Sequence, residues 1–428
     1  MKNKKSYLII LLSVFLLFSF QESKAQNAKR IENYALLKQK MDSGESIKVL
    51  YLGGSITEGA FCEPLKGINI HSKSYDYTLM SDPEQFSWRA LTFEWLKKNY
   101  EKQEGQFKMI NAAVGATGSE LASYRLDEHV LKYSPDLIFI EFAINDGGKG
   151  FISNDAKADK SIYRMMSAIV RRVEEVNPDV AIFIPVSTQR ELSNASSLSR
   201  KHHIRFANQM HIPYVDIHDV YFNQTLSDGI SKNNVFDGPD NPGCNVHPSP
   251  LGHRAYAEGV ERTLHKLFNG ESISFSEDPC QLYEDYPNHI KYITADKLSP
   301  TAGWQIGVSS EYMPTTHVLK DAKILQPVIG NSPFIFEFKG KSVLLWAEYH
   351  FSTGNRAGVL EVYVDDVLVK TFTGAEDVKT GEEKMMRLMP IVDNLDKEKK
   401  HTLKLIPKNE ANKEMLMGFY AICIERGK

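Results

Sequence analysis

Cysteine is scarce in this chain, with four in 428 residues and no CxxC pair. That excludes a disulfide-scaffolded fold and leaves no signature of structural zinc. Charge of one sign is not in excess either. The 51 basic and 54 acidic side chains leave a formal net charge of -3, so there is no electrostatic footprint for nucleic acid. Beyond the N-terminus no apolar run is long enough to cross a bilayer. Internal repeats and low-complexity tracts are missing as well. What remains is 42% hydrophobic and 25% charged residues with 27 glycines and 18 prolines. Such a balance argues against collagen, coiled coil and long disorder. The length predicts about two globular domains.

The first residues carry an address. Lys2, Lys4 and Lys5 precede an apolar run from Tyr7 to Phe20, and Ser23-Lys24-Ala25 supplies a small-x-small cleavage site. The run has about 14 residues, where spanning needs roughly 20. This is the layout of a secretory signal peptide over residues 1–25. No cysteine lies at the site to take a lipid anchor. The expectation is an exported chain, periplasmic or secreted, with no membrane insertion once the signal is removed.

From Ile47 to about Phe268 short apolar runs alternate with amphipathic stretches. The runs Ile47–Gly53, Phe107–Ala113, Asp136–Phe142, Val180–Val186 and Ile212–Ile217 are nearly continuous, as expected of strands covered on both faces. Helical patterns occupy Trp88–Tyr100, Glu120–Lys132, Asp159–Val176, Leu198–Met210 and Pro250–Phe268. The reading is α/β: a three-layer α/β/α sandwich around a five-stranded parallel sheet, occupying residues 26–270. Ligands of such sheets sit at the carboxyl ends of the strands.

After Gly270 the period changes to two. Phe334, Phe336 and Phe338 alternate, Leu360–Val364 and Val367–Val369 flank a tight Asp365-Asp366 hairpin, and Met417–Ile424 makes a closing strand. A linker over residues 271–280 and a C-terminal all-β sandwich over residues 281–428 follow.

Four stretches fall at strand ends on the ligand edge or in the loop after the last strand. Gly53-Gly54-Ser55-Ile56-Thr57 lets the backbone turn sharply and exposes a serine hydroxyl. Such a turn also suits phosphate, but GxGxxG and a Walker lysine are absent. Asn111–Ser119 offers small residues whose backbone N–H groups approach a ligand closely. Ala143-Ile144-Asn145-Asp146 supplies either a helix cap or an amide aimed at an oxyanion. His247 precedes Pro248, extended before the last helix. Together they supply a nucleophile, oxyanion donors and a general base, the parts of an acyl-transfer site.

In order and spacing these blocks resemble the SGNH (GDSL-type) hydrolase superfamily, with a flavodoxin-like α/β fold, over roughly residues 45–268. The resemblance implies that Ser55 attacks the ester carbonyl and His247 takes its proton. The Ser55 N–H, an N–H from Gly115 or Ala116, and the Asn145 amide would then hold the oxyanion. It implies no metal or organic cofactor. Ala143 stands where the family has glycine, and the second-block glycine aligns with Gly115 or with Ala116.

The family commonly places aspartate three residues before the histidine, and here that position is Cys244. Asp237 or Asp240 is a candidate to orient His247 instead, a backbone carbonyl is another, and a crippled enzyme is the third reading. Cys62 and Cys244 lie on loops at the same edge and are a candidate disulfide in an oxidising compartment. Cys280 and Cys423 bracket the β domain and are a weaker candidate pair. The remaining histidines, His202, His203, His211 and His218, share no metal-ligand spacing and read as ordinary residues.

The long Ala60–Gln85 connection carries Phe61, His71, Tyr75 and Tyr77 beside the nucleophile, suited to lining an acyl or sugar pocket. Trp304 or Trp346 could stack on a sugar ring, although core packing is the favoured role. The expectation is an esterase of the carbohydrate-esterase kind that removes short acyl groups, O-acetyl above all, from an acylated carbohydrate. The alternatives are a lipid or aryl esterase, or a catalytically degenerate glycan-binding protein.

Overall fold

The computed structural model describes residues 26–61, 78–79, 83–148, 159–236, 245–277, 280, 286–287, 289–308, 322–328, 332–350, 359–373, 384–408 and 417–427. The signal segment 1–25, most of the connection after Phe61, Cys62, Asp237, Asp240 and Cys244 lie outside these residues.

The five apolar runs form one parallel sheet. Its strands are β1 (Ile47–Gly53), β2 (Phe107–Asn111), β3 (Leu137–Glu141), β4 (Ala181–Val186) and β5 (Tyr214–Asp216), in the order β2-β1-β3-β4-β5. Strand side chains alternate between two covered faces. Val49, Tyr51, Leu137 and Phe139 enter one core, while Leu50, Leu52, Ile138 and Ile140 enter the other. This is why the runs look continuous in sequence.

A helix over residues 26–43, α1, precedes the sheet. None of the helices expected from the sequence covers these residues. Its apolar positions Tyr34, Leu37 and Met41 are buried in the first core, and the Tyr34 hydroxyl donates to the Ile182 carbonyl at 2.6 Å. Eight further helices pack around the sheet or flank the site: α2 (Ser55–Glu58), α3 (Trp88–Tyr100), α4 (Ser119–Tyr124), α5 (Ala143–Gly148), α6 (Arg164–Val176), α7 (Asn194–Gln209), α8 (Ile217–Asn223) and α9 (Pro250–Phe268). Of these, α3, α8 and α9 supply the first core with α1, while α4, α6 and α7 supply the second.

The helix expected over Glu120–Lys132 is broken. After α4 the chain makes a separate turn at Leu126–His129 and a 3-10 turn at Leu131–Tyr133. Two surfaces compete for this segment. Ala122, Leu126 and Val130 enter the second core, whereas Leu121 and Tyr124 face the β domain. The helical path breaks twice between them, at Arg125 (φ -96°, ψ 10°) and at Val130 (φ -133°, ψ -62°).

The C-terminal half is antiparallel, with two sheets packed on a shared apolar core. Its strands are β6 (Ile290–Thr294), β7 (Trp304–Val308), β8 (Lys323–Pro327), β9 (Phe334–Phe338), β10 (Ser342–His350), β11 (Val359–Val364), β12 (Val367–Thr373), β13 (Lys384–Val392), β14 (His401–Lys408) and β15 (Met417–Glu425). One sheet runs β13-β10-β15-β8-β7, with β6 also pairing β15; the other runs β9-β14-β11-β12. The Asp365-Asp366 hairpin forms as expected. Both residues take left-handed φ, 51° and 62°, which matches the twist of a two-residue hairpin.

The two halves meet over an apolar patch. Val114, Leu121 and Tyr124 pack with Tyr292, Ile324, Leu344, Trp346 and Tyr420. The β domain thus presses on the segment between β2 and α4. Trp346 is fully buried there and Trp304 is buried in the sandwich core, so neither offers a face to a sugar. The pairing of Cys280 with Cys423 does not occur. Cys423 is buried in the interface patch, whereas Cys280 packs against the α/β core. Among the described residues no helix is long and apolar enough to cross a membrane.

Candidate active site

Strand β1 ends at Gly53, and the chain turns at once into α2. Two glycines make that turn feasible. A Cβ on Gly53 would lie 2.3 Å from Thr57 Oγ1, and one on Gly54 would lie 2.1 Å from Asn145 Oδ1. Neither approach tolerates a side chain. The turn puts Ser55 at the carboxyl edge of the sheet, where its hydroxyl lies 2.9 Å from His247 Nε2. Residues 192 positions apart are thereby brought into hydrogen-bond contact. With His247 in the tautomer protonated at Nδ1, the Ser55 O–H donates to Nε2.

His247 is held from both sides. Upstream, the Asn245 carbonyl accepts from Arg190 N–H and its Oδ1 from Glu191 N–H, each at 2.8 Å. Downstream, Ser249 caps α9 by accepting from Gly252 N–H at 3.0 Å, and its own N–H donates to the Val235 carbonyl at 2.8 Å. Pro250 opens the helix, where a missing N–H costs nothing. Burial pushes the imidazole down to about 4, so it is neutral and able to accept a proton at pH 7.

The second block lies alongside. Val114 N–H donates to the Gly53 carbonyl at 3.0 Å, tying the loop after β2 to the end of β1. Within it Ala116 takes φ 57°. That left-handed conformation is the one glycine adopts without cost, and it marks Ala116 rather than Gly115 as the position with glycine's backbone. Thr117 Oγ1 closes the loop by donating to the Val114 carbonyl at 2.6 Å.

The third block is α5. Asn145 packs its amide directly over the Gly54 backbone, next to Ser55. Asp146 turns the other way and anchors α4: its Oδ1 accepts from Ser119 N–H at 2.8 Å and its Oδ2 from the Ser119 hydroxyl at 2.7 Å. His203 Nε2 of α7 lies 3.0 Å from the same Oδ2. His203 is therefore more than an ordinary helix residue, because it steadies the carboxylate that joins the second and third blocks. Its spacing to Asp146 gives no hint of this in sequence. His202 meets the Tyr163 hydroxyl at 2.7 Å.

One further histidine was also not singled out. His253, on α9, accepts from Trp88 N–H at Nδ1 (3.2 Å), and its Nε2 lies 3.0 Å from the Ala60 carbonyl. It pins the last helix to the segment that follows the nucleophile turn.

The structure thus brings Ser55, His247, Asn145 and the Gly115–Ala116 loop to one edge. Asp237, Asp240, Cys62 and Cys244 lie outside the described residues, so the candidate orienters and the candidate disulfide have no placement. The arrangement suits addition to a carbonyl, with a hydroxyl beside a neutral base and an amide beside the same turn.

Residues 51–255 match the family described as GDSL-like Lipase/Acylhydrolase. In overall fold the chain is similar to a two-domain esterase active on acetylated mannans. Against the crystal structure of that protein with mannopentaose, identity is 18% over 91% of this chain and 93% of the other, with a TM-score of 0.65. A second crystal structure of that esterase gives 18% identity over 93% and 99%, also at 0.65. An acetylxylan esterase from Geobacillus stearothermophilus is 19% identical over 52% of this chain and 96% of its own, with a TM-score of 0.36. No curated protein sequence matches the chain.

Proposed function

Because residues 51–255 form a GDSL-like lipase/acylhydrolase domain and the chain is a carboxylic ester hydrolase, we propose that it removes short acyl groups, O-acetyl above all, from a carbohydrate outside the cytoplasm. The observation that carries the mechanism is the 2.9 Å contact between Ser55 Oγ and His247 Nε2. In this reading Ser55 attacks the ester carbonyl as its proton passes to Nε2. The tetrahedral oxyanion is met by the Ser55 N–H, the N–H of Ala116 or Gly115, and the Asn145 amide. Each such donor is worth about a hundred- to a thousand-fold in turnover.

Collapse of that intermediate expels the sugar alkoxide, which takes the proton from the imidazolium and leaves Ser55 acylated. Water, deprotonated by the same imidazole, then releases the acid and restores Ser55. A carboxylate from Asp237 or Asp240 orients His247 in this scheme and offsets the cysteine at position 244. No metal or organic cofactor takes part.

The carbohydrate assignment draws support from a fold shared with an esterase active on acetylated mannans. The lysine-led segment over residues 1–25 supports export. Domain limits at 26–270 and 281–428, joined by 271–280, belong to the same proposal. Acetate release from a panel of acetylated mannans, xylans and 4-nitrophenyl acetate tests it. Preference for a glycan over long-chain acyl esters supports the reading, and preference for long acyl chains replaces it with a lipid esterase.

A further inference from the structure

One buried ionisable group at this edge has no part in the chemistry just described. Glu141 is the last residue of β3, a strand that otherwise reads Leu-Ile-Phe-Ile, and it is fully buried. An isolated carboxylate in such a place is costly unless donors converge on it. Here they do. Thr57 Oγ1 donates to Oε2 at 2.7 Å, the Ser187 hydroxyl donates to Oε1, and the Gly54 N–H is also bonded to the carboxylate.

These donors come from different parts of the site. Gly54 and Thr57 flank Ser55 in the nucleophile turn. Ser187 follows β4, and its Oγ also accepts from the Ile144 N–H at 3.4 Å, one residue before Asn145. The carboxylate therefore sits between the turn that carries the nucleophile and the turn that carries the oxyanion amide.

We propose that Glu141 is a positioning residue that sets Ser55 and Asn145 in register, through Gly54 and Thr57 on one side and Ser187 and Ile144 on the other. The inference rests on the reading of Ser55 as nucleophile. Glu141 touches neither substrate nor reacting atoms in this role; it fixes the geometry between two groups that do. Misplacement by about 1 Å is enough to cost roughly a hundred-fold in rate.

The carboxylate is also a titrating part. Burial, and the negative charge of Asp146 on α5, push it up to about 7, while its three hydrogen bonds pull it down. From α8 and α9 it faces Tyr221 and Tyr256, phenols that burial holds well above their ordinary range. From α3, Arg89 bonds the Thr57 carbonyl at 3.1 Å. Ionised Glu141 accepts all three donors. Once protonated it becomes a donor on one oxygen, and the hydroxyl that donated to that oxygen, of Ser187 or of Thr57, must turn its own hydrogen away. Activity then steps down as pH falls through about 7, separately from the loss due to His247.

Glu141→Gln imitates the protonated form at nearly the same size. The test measures kcat and KM for 4-nitrophenyl acetate between pH 5 and 9, for the full chain and for Glu141→Gln, Ser187→Ala and Ser55→Ala, each checked by thermal melting. Glu141→Gln is expected to lower kcat about ten- to a hundred-fold at pH 8 with KM within about two-fold, and to lose the step near pH 7. Ser187→Ala, which cuts only the arm to Ile144, is expected to lower kcat with KM unchanged and carries the test if the Gln variant does not fold. Wild-type kcat and an unchanged pH profile in the variants that fold would overturn the proposal. Hydrolysis that survives in Ser55→Ala instead defeats the reading of the nucleophile, whatever Glu141 does.

Discussion

Replacing Gly54 with alanine puts one methyl group between the nucleophile turn and the oxyanion amide. The added Cβ would lie 2.1 Å from Asn145 Oδ1, 2.7 Å from its Cγ and 3.0 Å from Nδ2. Non-bonded carbon contacts settle at about 3.5–4.0 Å, so the amide must retreat by about 1 Å or more. Gly54 itself has φ -95°, a value alanine adopts freely, so the effect is steric rather than backbone strain. Loss of one oxyanion donor costs about 2.7–4 kcal/mol, or a hundred- to a thousand-fold in kcat. Gly54→Ala should show a fall of that size in 4-nitrophenyl acetate turnover, with a cooperative melt retained.

The double-mutant cycle with Asn145→Ala sharpens the test. Truncating Asn145 makes room for the methyl group, so the double variant should match Asn145→Ala alone, with a coupling energy close to the whole single effect. A Gly54→Ala enzyme within about two-fold of wild type would refute the reasoning. So would additive losses in the double variant.

Three further outcomes are expected. Burial holds His247 at about 4, and only the neutral imidazole can take a proton from Ser55. The limb it controls should therefore lie near pH 4 in a kcat/KM profile, and one centred at 6.5 that persists in Glu141→Gln contradicts the burial argument. Asp237→Asn and Asp240→Asn, assayed side by side, should identify the orienter by a fall in kcat of up to about ten-thousand-fold in one of them; full activity in both leaves a Ser-His dyad. Trp346→Ala empties a fully buried site at the domain interface and should cost about 3–5 kcal/mol in denaturant unfolding. A loss below about 1 kcal/mol would show that the interface does not depend on that ring.

The sheet was legible because each strand is covered on both faces, which leaves an apolar run that short-range reading detects. The Asp365-Asp366 hairpin was legible because its residues tolerate left-handed φ. The break after α4 was not, since no glycine or proline marks it. It arises where Ala122, Leu126 and Val130 answer to one core and Leu121 and Tyr124 to another domain. Helix α1 carries a readable stripe at Tyr34, Leu37 and Met41, yet it stands outside the alternation of strands and helices that organised the reading.

In the site, Ser55, Asn145 and His247 could be found because each sits in a short block, the first two just past strand ends and His247 just before the last helix. Glu141, Ser187 and His203 act through contacts between blocks, and such contacts exist only once the sheet has formed. Glu141 still left a trace: a lone carboxylate at the end of a strand that is otherwise wholly apolar. The left-handed φ at Ala116 is likewise a property of the fold, because alanine gives no local sign of it.

Release of acetate from acetylated glycans by the wild-type chain, beside Ser55→Ala and His247→Ala, bears most directly on the account. It predicts that wild type releases acetate and that each variant loses at least about ten-thousand-fold in kcat while keeping its fold. An inert wild type, or hydrolysis by wild type that Ser55→Ala matches, would contradict the serine-histidine mechanism and leave glycan binding as the function to examine.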